Sequence, residues 1–540
     1  MNSDTSLLQV TDLTLATVGG SPLVKGIDFH VERGEIVALV GESGSGKTLS
    51  SLSVLGLLPE GVQHQGGVIR FNGEVVAAPG QRYPAGVRGS QIAMIFQEPM
   101  SSMNPVLTVG EQIAEVLVRH EGLSWKAANQ QAVELLDKVG IVNPAQRAGQ
   151  YIHQLSGGMR QRVMIASAIS CKPALLIADE PTTALDVTIQ AQILALLQAL
   201  QREMQMGVLL ITHDLGVVAR YADRAAVMHN GRIVEQGAVP ALLSHPADPY
   251  TQKLIAASRP ENHRRTAALP DAPLISLAGV TKSYPQPHRL PFFPPHRHPV
   301  LQPTTLTIGR GEIVGLIGES GSGKTTLGRT AIGLIPADSG EILFDGINLV
   351  KASREQQQQM RRRAQIIFQD PFASLDPKMT VGEQIAEPLR VHKLRPAAEI
   401  PARVSELLTL VGLRPEHAAR RPAAFSGGQR QRIAIARALA LEPELLVADE
   451  AVSALDLSVR GQVLALLADL RDKLGLTVLF ISHDLSAVRQ VCDRVVVMYR
   501  GEIVEAGETQ QVLEQPAHRY TRELLQSAPD IEQALQMRAG

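Results

Sequence analysis

The octapeptide Gly-Glu-Ser-Gly-Ser-Gly-Lys-Thr occurs twice, at 41–48 and again at 318–325. The chemistry open to such a run is phosphate binding. Gly41, Gly44 and Gly46, and in the second copy Gly318, Gly321 and Gly323, let backbone N–H groups turn inward around an anion, with Ser43, Ser45, Ser320 and Ser322 completing each cradle. Lys47 and Lys324 can reach β- and γ-phosphates, and the hydroxyls of Thr48 and Thr325 are placed to ligate Mg²⁺. Two acidic pairs lie downstream, Asp179-Glu180 and Asp449-Glu450, each closing an apolar run. The aspartate of such a pair can hold Mg²⁺, usually through water, and the adjacent glutamate can polarise an attacking water as general base.

The elements that must position these groups follow from the surrounding pattern. Each phosphate loop comes after an apolar run (IVALV, IVGLI) and opens a helical stretch, so a strand feeds the loop and a helix N-terminus faces the anion. Runs such as ALLIADE at 174–180 and GVLLIT at 207–212 read as buried strands, alternating with helical patterns such as QAQILALLQALQREM at 190–204. That alternation predicts an α/β fold with a mainly parallel sheet covered on both faces. The stretch from Val109 to Gln154, with a counterpart after Val381, is rich in helical pattern and reads as an α-helical subdomain inserted in each core.

The repeat extends past the phosphate loops. Ser156, Glu180 and His213 pair at one constant offset with Ser426, Glu450 and His483, and TVGEQIAEVL at 108–117 recurs as TVGEQIAEPL at 380–389. The period is a whole domain. We therefore expect a first domain at 1–257, a polar, proline-bearing linker at 258–273, a second domain at 274–530 and a tail at 531–540. A Pro/His-rich segment at 285–299 reads as an extended surface loop, its histidines matching no familiar metal spacing.

Charged residues make up 19% of the 540 and the formal net charge is −1, which argues against a nucleic-acid surface. The N-terminal residues lack a signal-peptide pattern, and no run of about 18 apolar residues occurs. The only cysteines, Cys171 and Cys492, make neither a zinc site nor a disulfide framework. A reducing cytoplasm is the expected location.

The residues that select among phosphate-loop proteins are QLSGGMRQR at 154–162 and AFSGGQRQR at 424–432. With Gln97 and Gln369 in IFQEP and IFQDP, ALD at 184–186 and 454–456, and His213 and His483 in ITHDL and ISHDL, nearly the whole chain resembles the ATP-binding cassette (ABC) family, whose signature is LSGGQ. The resemblance implies two tandem P-loop ATPase domains, each with an antiparallel β part. It also implies that the signature of one domain closes on the phosphate loop of the other, with ATP and Mg²⁺ between them. Site one would then be Lys47, Thr48, Gln97, Asp179, Glu180 and His213 facing Ser426, Gly427 and Gly428. Site two would be Lys324, Thr325, Gln369, Asp449, Glu450 and His483 facing Ser156, Gly157 and Gly158. The family implies Mg²⁺ contact for Gln97 and Gln369, γ-phosphate contact for the two histidines, and adenine stacking for Tyr284, whose counterpart here is Thr17. Met159 replaces the signature glutamine and Phe425 its leucine.

HPADPYTQKLIAAS at 245–258, its looser echo QPAHRYTRELLQSAPD at 515–530, and EPMSSMNPVLTVGEQI at 98–113 are similar to peptide and nickel importer ATPases. The fused pair most resembles the Yej-type subunit of bacterial oligopeptide and microcin C importers, with fused glutathione-importer subunits as close competitors. This implies two membrane permeases as partners, an indirect link to a periplasmic solute-binding protein, an intramolecular pseudo-dimer, and peripheral attachment to the cytoplasmic face of the inner membrane. A two-cassette ATPase acting on ribosomes is the remaining alternative.

Overall fold

A computed structural model describes residues 6–183, 185–258, 273–286, 296–453, 455–528 and 530–539. Most of the expected linker, and of the Pro/His-rich segment, lies outside these residues. The chain divides into two compact units, Met1–Ser258 with Pro529–Gly540, and Arg259–Ala528.

In the first unit six strands form the central sheet, in the order Arg232–Ala238, Arg224–His229, Ile36–Val40, Gly207–Thr212, Leu175–Asp179 and Ile92–Ile95. All neighbours are parallel except the first pair. Ile36–Val40, Gly207–Thr212, Leu175–Asp179 and Ile92–Ile95 are buried at every position, which is why they read as continuous apolar runs. The strand entering the phosphate loop is therefore central, and the strands carrying Asp179 and leading to His213 follow beside it. A second, antiparallel sheet of four strands, ordered Pro22–Val31, Leu8–Thr17, Val62–Phe71 and Glu74–Ala77, packs its apolar face on the core beneath the loop.

The helical part begins at Val109–Glu121 and continues through Trp125–Lys138 and Pro144–Ala148 to Gly157–Ile169. The recurrent TVGE has a local cause. Thr108 caps the first helix while Glu111 accepts from the Thr108 N–H at 2.8 Å, and Thr380 with Glu383 does the same in the second unit at 2.7 Å. Such reciprocal caps satisfy backbone donors that the helix leaves unpaired.

The second unit repeats both sheets, with Ile313–Ile317 central and flanked by Thr477–Ile481 and Arg494–Tyr499. Residues expected as a tail instead form the helix Ile531–Ala539. Its Ala534 is buried, and Ile531 and Leu535 pack with it against the core of the first unit. Among the described residues no helix is long and apolar enough to cross a membrane.

Candidate functional site

The phosphate loop closes on itself in both units. Lys47, 5% exposed, extends its ammonium to the carbonyls of Gly41 and Glu42, both at 2.8 Å; Lys324 does so to Gly318 at 2.7 Å and Glu319 at 2.8 Å. Gly41 is obligatory on two counts. Its φ is 156°, and a Cβ there would stand 2.2 Å from the Met228 carbonyl; Gly318 has the same relation to Met498. Gly46 and Gly323 adopt left-handed φ of 104° and 101° as they open the helices Lys47–Val54 and Lys324–Ala331.

The strand ends bring the remaining groups alongside. Thr48 Oγ1 donates to Asp179 Oδ1 at 3.3 Å, and Thr325 to Asp449 at 2.9 Å. Gln97 Nε2 donates to Glu180 Oε2 at 2.8 Å, and Gln369 to Glu450 at 2.6 Å. His213 Nδ1 lies 3.3 Å from Glu180 Oε1, and His483 Nδ1 3.5 Å from Glu450 Oε1. Both glutamates sit in the left-handed region, at φ 44° and 50°, held there by an N–H bond of 2.9 Å to Ile211 or Ile481. A non-glycine residue bears such backbone strain where its surroundings over-determine it, most often at a working site.

Burial separates the roles of the two acids. Desolvation pushes the Asp179 carboxyl up to about 6, against the Thr48 hydrogen bond and the Lys47 charge, and it raises Asp449 as well, where Arg329 at 3.4 Å opposes it. Desolvation acts on Glu180 and Glu450 too, but the hydrogen bond and charge of His213 or His483, with the charge of Lys47 or Lys324 and, at Glu180, the Thr183 hydrogen bond, together outweigh it, so both glutamates lie below the ordinary carboxylate range. An ionised glutamate beside an imidazole can polarise water. The threonine hydroxyl, glutamine amide and buried aspartate offer hard oxygen donors, the kind Mg²⁺ prefers.

The signature triplets stand apart from this hydrogen-bonded cluster. Ser156 and Ser426 are the N-caps of Gly157–Ile169 and Gly427–Leu439, so each triplet presents a helix N-terminus, suited to an anion. Gly158 has no room for a side chain, since a Cβ would lie 2.7 Å from Ile189; at Gly428 the obstacle is Val459 at 2.1 Å. Phe425 is buried edge-on to the His417 ring, 5.3 Å between centroids, and takes the core place that Leu155 fills in the first unit. Tyr284 lies near the end of its strand opposite His298, 38% exposed, with the Lys282 ammonium 5.7 Å from its ring.

Sequence reasoning passed over several contributors. Asp214 caps the helix Leu215–Tyr221 through the Gly216 and Val217 N–H groups at 2.8 and 3.2 Å, fixing the turn that carries His213. Thr183 donates to Glu180 Oε2 at 2.9 Å. The HD of ITHDL was a visible cue for the first, as an aspartate preceding a helix; Arg329, beside Asp449, had no cue beyond its helical position.

A model of the ABC transporter family matches residues 24–183 and 301–453, and one described as the oligopeptide/dipeptide transporter C-terminal region matches 234–276 and 504–539. The chain is 47% identical over 541 residues to the glutathione import ATP-binding protein GsiA of Pectobacterium atrosepticum, covering 94% of this chain and 86% of that protein. It is 48% identical over 548 residues to GsiA of Escherichia coli K12, covering 95% and 87%. A solved bacterial ABC transporter cassette, MJ0796, matches at 31% identity and a TM-score of 0.39, over 44% of this chain and 98% of its own. The two GsiA proteins carry the glutathione-importer name that the sequence reading held as its competitor, not the Yej-type name it preferred. With both cassettes and both C-terminal regions matched, the chain belongs to the ABC transporter family and is a tandem-cassette ATPase of the oligopeptide-transporter type.

Proposed function

We propose that this chain drives import of glutathione or similarly short peptides through membrane permeases, hydrolysing ATP at two composite sites. The observation that carries the substrate class is the near full-length similarity to glutathione import ATPases, together with the peptide-transporter C-terminal region behind each cassette. In each site the loop lysine binds phosphate, and Thr48, Gln97 and Asp179, or Thr325, Gln369 and Asp449, would hold Mg²⁺. The ion would supply charge neutralisation across the β- and γ-phosphates. Glu180 and Glu450 orient and deprotonate water, and His213 and His483 fix them and contact the γ-phosphate. The signature of each cassette completes the other's site, so ATP binding closes the pair and hydrolysis reopens it; Tyr284 stacks on adenine in site two.

A groove in the first cassette supports the permease partner. Phe96, Met103, Leu107, Val116 and Met164 line it between the core and the helical part, directly beside Gln97, and Phe96 is 38% exposed. A short amphipathic helix from a permease fits such an apolar cleft, and its seating would move Gln97 against Glu180. The test is reconstitution of this chain in lipid vesicles with a pair of oligopeptide-type permeases. Glutathione, supplied with its binding protein, is expected to stimulate ATPase activity and to accumulate in vesicles. Stimulation only by longer peptides would replace glutathione as the solute, and recovery of the chain solely with ribosomes would overturn the importer reading.

A further inference from the structure

Each phosphate loop is held from a direction that the nucleotide chemistry does not require. The N–H of Glu42, second residue of the first loop, donates to Tyr250 Oη at 3.4 Å, and the N–H of Glu319 donates to Tyr520 Oη at 2.9 Å. These tyrosines lie some 200 residues downstream, on the helices Pro249–Ser258 and Arg519–Ser527 of the two C-terminal extensions. The same two glutamates give their carbonyls to Lys47 and Lys324, both at 2.8 Å. One residue thus links a tyrosine hydroxyl to the catalytic ammonium.

The tyrosines are themselves fixed. Tyr250 stacks on His229 with ring centroids 3.8 Å apart, and Tyr520 packs on Tyr499 at 4.3 Å. His229 and Tyr499 end the strands whose following turns also grip the loops, through Gly231 N–H to Ser45 O at 3.1 Å and Gly501 N–H to Ser322 O at 3.0 Å. Behind the rings, Glu235 accepts from the N–H groups of Ala247 and Asp248 at 2.8 and 3.1 Å, and Glu505 from those of Ala517 and His518 at 2.8 and 3.0 Å. The surroundings differ between the halves: Asp248 Oδ1 receives the Tyr250 N–H, whereas His518 Nδ1 receives that of Tyr520. The hydroxyl-to-loop bond is nevertheless present in both.

We infer that Tyr250 and Tyr520 are positioning residues for ATP binding, through which the C-terminal extension sets the shape of the phosphate loop. The inference rests on the reading that these loops bind ATP. The bonded N–H shares its peptide plane with the carbonyl of Gly41 or Gly318, which itself accepts from the lysine at 2.8 or 2.7 Å, so the hydroxyl restrains a peptide that orients the ammonium. Without it, nucleotide binding itself must order that peptide, and the cost falls on affinity rather than on the chemical step.

The test is Tyr250→Phe with Tyr520→Phe in the full chain, which keeps both ring contacts and removes only the hydroxyls. Losing one modest hydrogen bond per site should weaken binding of a fluorescent ATP analogue with Mg²⁺ by roughly 3- to 10-fold. In the permease complex KM for ATP should rise by the same factor, with kcat changed less than about twofold. The Glu42 and Glu319 amides should exchange faster with deuterium, and Tyr520→Phe alone should cost more than Tyr250→Phe alone, following the shorter bond. Unchanged affinity and exchange would overturn the inference, as would a lowered melting temperature with KM intact, the mark of a merely structural role. Failure of the wild-type chain to bind the analogue would remove the ATP reading and this inference with it; wild-type binding that the Phe variants leave untouched removes the inference alone.

Discussion

Position for position, Leu52 of the first cassette stands where the second has Arg329, Gln190 where it has Arg460, and Gln91 where it has Arg363. Each arginine meets an acid. Arg329 reaches Asp449 at 3.4 Å, Arg460 pairs with Asp484 behind the His483 turn, and Arg363 bonds Glu444 at 2.9 Å. In the first cassette a leucine and a glutamine stand at the positions matching Arg329 and Arg460, and Ala174 replaces Glu444. Yet lysine, threonine, glutamine, aspartate, glutamate and histidine recur with the same contacts. The chemistry is held constant while its electrostatic support has drifted, so the cassettes are expected to differ in binding and stability before they differ in catalytic groups.

The sharpest way to break that comparison is at the bases. Glu180→Gln and Glu450→Gln each preserve the size of the side chain and its bond to the neighbouring histidine or glutamine, while removing the proton acceptor. Loss of a general base typically costs 10²- to 10⁴-fold in rate. The double variant should fall by at least that factor and retain bound ATP, read as trapped radiolabelled nucleotide in the permease complex. If the cassettes are catalytically equal, the two single variants will lose similar fractions of turnover. A double variant with wild-type turnover would refute the assignment of the bases.

At the signature helices the difference is smaller and local. Gln429 returns its side chain to the Ser426 N–H at 3.1 Å while Ser426 Oγ accepts from the Gln429 N–H at 3.4 Å, a reciprocal cap. Met159 has no such group, Ser156 makes no side-chain cap bond, and the methionine packs instead on the apolar core. Exchanging them tests what the drift costs: Met159→Gln should stabilise its helix and Gln429→Met destabilise the other, each by about 1 kcal/mol or less. In calorimetry of the full chain that is a rise and a fall of about 1–4 °C in the transition of the cassette concerned. Equal shifts of one sign would show that core packing, not capping, decides this position.

How much of this was legible beforehand follows from where the signals lie. The strand-loop-helix framing of Lys47 and the apolar strand before Asp179 are local, and periodicity with glycine placement was enough to predict them. TVGEQIAE was visible as a repeat, but its cause, the Thr108–Glu111 cap, belongs to backbone donors that only a defined helix start leaves unpaired. The Tyr250 contact with Glu42 joins residues far apart in sequence and depends on where an entire extension docks. No spacing rule carries that information. The helix Ile531–Ala539 escaped for a similar reason: its weak amphipathic pattern reads as a tail until Ala534 is found buried against the first unit. The arginines of the second cassette were readable as charges, but their partners were not, because each pair closes across the fold.

The smallest expected effect concerns those arginines and acid. Arg310 and Arg363 hold Glu444, and both also pair with Asp345; at the matching positions of the first cassette Arg33 bonds Asn72 at 2.9 Å. Hydrogen bonding from Arg363 is the main cause that holds the Glu444 and Asp345 carboxyls below their ordinary values, with Arg310 adding to it. A carboxylate depressed in the folded state contributes stability above its unfolded pKa, near 4, and loses it as pH falls through the folded value. Between pH 5 and pH 3 the second cassette should therefore lose protection more steeply than the first, read as deuterium exchange of the strand Leu445–Asp449 against Leu175–Asp179. Because these groups are more than a third exposed, solvent screening keeps the difference modest. Glu444→Gln should flatten the acid slope of the second cassette toward that of the first by modestly lowering its protection at pH 7, with variant and wild type converging at acid pH. A slope that survives the substitution would assign the acid sensitivity to other carboxylates and remove this network from the list of differences that matter.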